Sequence, residues 1–72
     1  MEETKNLIEG LLDEITRVTE MIVEYEALPK GAGNLAASIM RFNVRNAKNS
    51  ISKGDTIGMM YSYEELKKFE DT

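Results

Sequence analysis

The residues best suited to chemistry sit in the middle of the chain. Lys30-Gly31-Ala32-Gly33 forms a glycine-containing loop just before a helical segment, with Ser38, Arg41 and Arg45 in the first turns behind it. A loop of this kind offers free backbone N–H groups, and the start of the helix adds a partial positive charge. Arginine forks match the oxygens of a phosphate in a two-point geometry. Tyr25, one turn before the loop, supplies an aromatic face. This combination predicts a site for a small anion such as a phosphorylated nucleotide. It does not predict a nucleotide triphosphatase, because the phosphate-loop pattern ending in Gly-Lys-Ser/Thr is absent.

The residues usual in catalysis and metal binding are missing. The chain has no histidine and no cysteine, which removes the commonest general base, the commonest metal ligand and any disulfide or thiolate site. Carboxylates are adjacent at Asp13-Glu14, Glu64-Glu65 and Glu70-Asp71. Neighbouring residues on a helix point about 100° apart, so these pairs do not converge. No enzyme activity, metal or cofactor is expected. Tyr61 and Tyr63 fit either stacking on a base or packing at a helix interface. Asn43, Asn46 and Asn49 make a polar ridge with no single reading.

Charge divides the chain into three parts. Residues 1–28 hold eight acids against Lys5 and Arg17, and residues 55–72 hold five acids against Lys67 and Lys68. Between them, residues 29–54 hold Lys30, Arg41, Arg45, Lys48 and Lys53 and no acid. Such asymmetry has two readings. Either the cations pair with the acids of the first helix, a contribution of about 0–1 kcal/mol per exposed pair, or they form an anion site. Five cations among 13 acids are too few for a nucleic-acid duplex. No run approaches the roughly 18 apolar residues of a membrane span, and the first residues are acidic where a signal peptide is basic. The expected address is the cytoplasm, that of the host cell if the protein is phage-encoded.

The elements that must position these residues read as three helices. Ile8, Leu11, Ile15, Val18, Ile22 and Tyr25 recur at steps of three and four, with Leu12 beside them, and predict a helix over 3–27. Pro29 and the two glycines break it. Asn34 is the expected N-cap of a second helix over 35–52, closed by Lys53-Gly54. Asp55 or Thr56 caps a third over 56–70, with Met59, Tyr63, Leu66 and Phe69 on one side. On helix two, Ala36, Met40, Val44, Ala47 and Ile51 share one stripe, Leu35, Ile39 and Phe42 a second, and Asn34, Ser38, Arg41, Arg45 and Lys48 a third. Two apolar stripes predict packing on two neighbours, helix one and either helix three or another protomer, with the basic stripe in the groove left open.

At 72 residues, 42% of them hydrophobic, the chain makes a single all-α domain, a helical hairpin plus a short third helix. A core this small usually needs a staple, and self-association is the one remaining. A 25-residue helix is about 37 Å long, against about 29 Å for the diameter of a compact globule of this length. A homo-oligomer, with a second chain covering the excess, is therefore expected.

The stretch Tyr25-Glu26-Ala27-Leu28-Pro29-Lys30-Gly31-Ala32-Gly33 through Ser38-Ile39-Met40, then Gly54-Asp55 and Tyr63-Glu64-Glu65-Leu66-Lys67, resembles a pattern in small helical proteins of tailed phages. Proteins of that kind include sponges that sequester cyclic nucleotide immune signals, the anti-CBASS and anti-Thoeris proteins. The resemblance spans about residues 20–70. It implies a non-catalytic homo-oligomer that blocks host antiviral defence, with cyclic dinucleotide or ADP-ribose-derived ligands at subunit interfaces. It carries over to Tyr25, Pro29, Lys30, Gly31, Gly33, Ser38, Arg41 and Arg45. The alternative is a protein–protein adaptor or inhibitor that docks through the seam of helix one and takes no small ligand.

Overall fold

The structure is a computed structural model that describes residues 2–70, with side chains from Asn6 onward. Glu2, Glu3, Lys5 and Asp71, counted in the charge pattern above, lie outside the described side chains. Among the described residues there are three α-helices and no strand: α1 Glu2–Glu26, α2 Asn34–Lys53 and α3 Thr56–Lys67, with a single 3-10 turn at Pro29–Gly31.

The core is built from one stripe of each helix. Leu11, Ile15, Val18 and Ile22 of α1, with Met21 beside them, are buried against Ala37, Met40, Val44 and Ala47 of α2 and Met59 and Leu66 of α3. The seam of α1 is thus consumed within the chain, since α2 and α3 together cover it. The second chain expected over the excess length of α1 is not required by this seam. The excess length shows instead in the shape, 46 × 20 × 15 Å with a radius of gyration of 12.8 Å, where scaling for 72 residues gives about 11 Å.

The turn between α1 and α2 depends on a close approach. Gly33 is buried, and a Cβ there would lie 2.2 Å from the carbonyl oxygen of Tyr25. The start of α2 is seated directly on the end of α1, a position only glycine fills. Gly33, not Asn34, is consequently the N-cap of α2, and Asn34 is its first helical residue. At the far end Gly54 closes α2 in the left-handed conformation, φ 67°, where a side chain would be strained. Asp55 then caps α3 by accepting from the Gly58 N–H at 3.0 Å.

One further boundary is corrected: helix three stops at Lys67, not at residue 70. There the Leu66 carbonyl accepts from the Phe69 N–H in a tightened last turn, and Arg17 of α1 binds the Leu66 and Phe69 carbonyls at 2.9 and 2.7 Å. Phe69 is packed against the core. Within the single chain α2 packs on both α1 and α3 through the stripe of Ala37, Met40, Val44 and Ala47, and Leu35, Ile39 and Phe42 of its other apolar stripe are exposed.

Candidate functional site

The basic stripe of α2 borders an open groove between α1 and α2. Thr19, Ile22 and Val23 form its α1 side, and Arg41, Val44, Arg45 and Lys48 its α2 side, around a volume of about 320 Å³. The local reason is helical periodicity. Arg41, Arg45 and Lys48 are spaced four and three apart, so they follow one edge of α2. That edge flanks the buried stripe, which places Val44 on the groove floor. The α1 residues that line it are a threonine and two aliphatic side chains, and Glu26 of α1 reaches Arg41 beside them.

The cations differ in their engagements. Arg41 forms an ion pair with Glu26 at the end of α1, and both side chains are about half exposed. Among the described residues no ion pair engages Arg45 or Lys48. Pairing with the acids of α1 therefore accounts for one cation of the three. The groove combines a positive edge with an apolar floor, an arrangement suited to a small anion that also carries an apolar or aromatic part. Its volume sits at the small end of ligand pockets, which run from about 300 to 1,000 Å³.

The predicted site residues fall into separate places. Arg41 and Arg45 line the groove. Tyr25, half buried, packs against the core, and Gly33 serves the helix junction. Pro29, Lys30, Gly31 and Ser38 are exposed and do not line the groove. Lys30 and Gly31 both adopt positive φ, 60° and 71°. The glycine loop and the groove are thus distinct, because Arg41 lies seven residues into α2, about 10 Å from its start. Lys48, which shares the stripe with Arg41 and Arg45, joins the site, as do Thr19, Ile22, Val23 and Val44. The spacing of Lys48 was a usable signal. Ile22 and Val44 read as core in the sequence and are core residues with one flank left open.

Comparisons with protein-family models, with curated proteins and with solved structures each found no match. The site is accordingly read from its own chemistry. No group of three or more acidic residues among those described is placed to hold a metal ion, and no helix is long and apolar enough to cross a membrane. Other charges sit elsewhere. On α3, a hydrogen bond from Lys68 holds the Glu65 carboxyl below its usual range, and Glu65 in turn raises Lys68. That exposed pair is remote in sequence from the groove and is not among its lining residues.

Proposed function

We propose that the chain is a non-catalytic, homo-oligomeric binder of a small phosphorylated nucleotide, and that it acts by sequestering such a signal from a host antiviral defence. The observation that carries the binding part is the groove edge: Arg41, Arg45 and Lys48 in one line beside the apolar floor of Ile22 and Val44. The cations face the phosphate, and the floor takes the base or sugar. The role in defence rests on the resemblance to phage sponges, and the oligomer on the small size of the core. The alternative of an adaptor docking through the α1 seam would require α1 to leave α2 and α3, since that seam is buried.

Binding to the folded state raises the melting temperature by mass action, by about 2.7 kcal/mol of stabilisation at a hundredfold excess over Kd. A thermal-shift panel of mononucleotides, cyclic mononucleotides and cyclic dinucleotides tests this, read beside the same panel on Arg45→Glu/Lys48→Glu. At least one nucleotide raises the wild-type melting temperature by several degrees and leaves the variant unmoved. A wild type that shifts with none of them, with flat calorimetric titrations, overturns the proposal.

A further inference from the structure

The stripe of α2 that the chain leaves uncovered has an order of its own. Leu35, Ile39, Phe42, Asn46 and Asn49 follow one another at steps of four, three, four and three. That is the repeat of a two-helix seam, sustained over 14 residues or about 21 Å. It runs along the side of α2 opposite the buried stripe of Ala37, Met40, Val44 and Ala47. Leu35 is 76% exposed, Phe42 63% and Ile39 48%. The seam contains no charged residue. We propose that this stripe is a self-association face, on which α2 of a second copy lies parallel to the first about a two-fold axis. The inference rests on the homo-oligomer part of the function proposed above and names the surface that forms it.

The polarity of the stripe identifies the occupant as the same helix in the same direction. Its first half is aliphatic and aromatic, and its second half is carboxamide. A parallel two-fold axis sets every residue on its own counterpart, Leu35 on Leu35 and Phe42 on Phe42. It also sets Asn46 on Asn46, and a carboxamide can pair with itself because it carries both donors and acceptors. Asparagine within such a seam fixes register. An antiparallel pairing along the full stripe would lay amides over leucine and isoleucine and leave them unpaired, at a desolvation cost.

The flanks permit this approach. Arg45 and Ser38 border one side and Ala36, Asn43 and Ser50 the other. In a parallel pair the position of Arg45 faces that of Ser50 across the seam, so no like charges meet. Asn43 is already satisfied, since its amide donates to the Ile39 carbonyl at 2.9 Å.

The test is the mass in solution by light scattering, for the wild type and for Ile39→Glu/Phe42→Glu. The wild type has twice the chain mass of 8.1 kDa, and the variant has the single mass with unchanged helix content by circular dichroism. Orientation is read from Asn46→Cys in this cysteine-free chain. Mild oxidation links it to its own counterpart, whereas Glu20→Cys on the exposed side of α1 stays largely unlinked. A monomeric wild type overturns both this proposal and the homo-oligomer reading. An oligomer that survives the double substitution overturns only this face, and failure of Asn46→Cys to link overturns the parallel order. Nucleotide shifts measured on the monomeric variant separate the groove from the interface, since ligand binding is free to persist there.

Discussion

Arg17 and Phe69 are 52 residues apart, and the guanidinium of the first donates to the carbonyl oxygen of the second at 2.7 Å. The same side chain reaches the Leu66 carbonyl and is held by both carboxylate oxygens of Glu14, each at 3.1 Å. Arg17 therefore ties the end of α3 to the middle of α1. Carbonyls at a helix end lack partners in the helix, and a cation there also meets the negative end of the dipole. Hydrogen bonds involving a charged group contribute about 1.5–3 kcal/mol each. Arg17→Ala is expected to cost about 2 kcal/mol net, because water reaches part of this site. For a domain this small that lowers the melting temperature by about 8–16 °C. Arg17→Lys keeps the charge but loses the fork, and should fall between. Thermal unfolding followed by circular dichroism reads both. A change under 2 °C in Arg17→Ala would remove the clamp from the account.

Two glycines in helical surroundings should respond with opposite sign. At Gly33 a Cβ would press on the Tyr25 backbone, at 2.2 Å from its oxygen and 2.8 Å from its carbon. Neither can yield without separating α1 from α2. Gly33→Ala is expected to destabilise by about 2–3 kcal/mol, within the range for overpacking of a tight site. Gly10 lies inside α1, where a Cβ would meet only the Tyr63 ring at 3.4 Å. Alanine is favoured over glycine in a helix by about 1 kcal/mol. Gly10→Ala should leave stability unchanged or raise it by up to that amount. Urea denaturation of both variants provides the check, and a stabilised Gly33→Ala would contradict the close helix contact.

How much of this was legible in the sequence depends on what each residue touches. The helices were, because apolar spacing, Pro29 and the Gly54-Asp55 boundary are local signals. The early end of α3 was not, because the Arg17 that binds its last carbonyls comes from another helix. Gly33 looked like a flexible loop residue, while its reason is contact with the Tyr25 backbone, which no local pattern records. The basic stripe was visible as spacing, and its groove became visible only once α1 supplied Thr19, Ile22 and Val23 opposite. The exposure of Leu35, Ile39 and Phe42 had the same limit: their spacing says that they face one way, and not whether anything in the chain lies there.

Electrostatics should separate the groove from ordinary surface charge. Arg45→Glu/Lys48→Glu reverses two exposed cations that form no ion pair among the described residues. Surface substitutions of this kind move stability by about 0.5 kcal/mol or less. If the groove binds a phosphorylated nucleotide, the same change should weaken binding at least tenfold, and raising salt from 50 to 300 mM should weaken wild-type binding through screening. Calorimetry at the two salt concentrations measures this. Binding that ignores both salt and the substitutions would place the ligand elsewhere on the molecule.

Glu26 gives the reverse experiment. Its carboxylate pairs with Arg41 at one end of the groove, so it competes with an incoming phosphate for the same guanidinium. The two side chains are 41% and 49% exposed, and a pair this open contributes about 0–1 kcal/mol to stability. Glu26→Gln should therefore leave the melting temperature within a few degrees of wild type. It should tighten nucleotide binding several-fold, since Arg41 no longer has to leave an anionic partner. The gain must vanish in Glu26→Gln/Arg41→Gln, where there is no guanidinium to release. A double-mutant cycle on the dissociation constant reads this coupling directly. If Glu26→Gln weakens binding, Glu26 orients Arg41 for the ligand instead of withholding it, and the assignment of Arg41 as a cation held back by its neighbour is wrong.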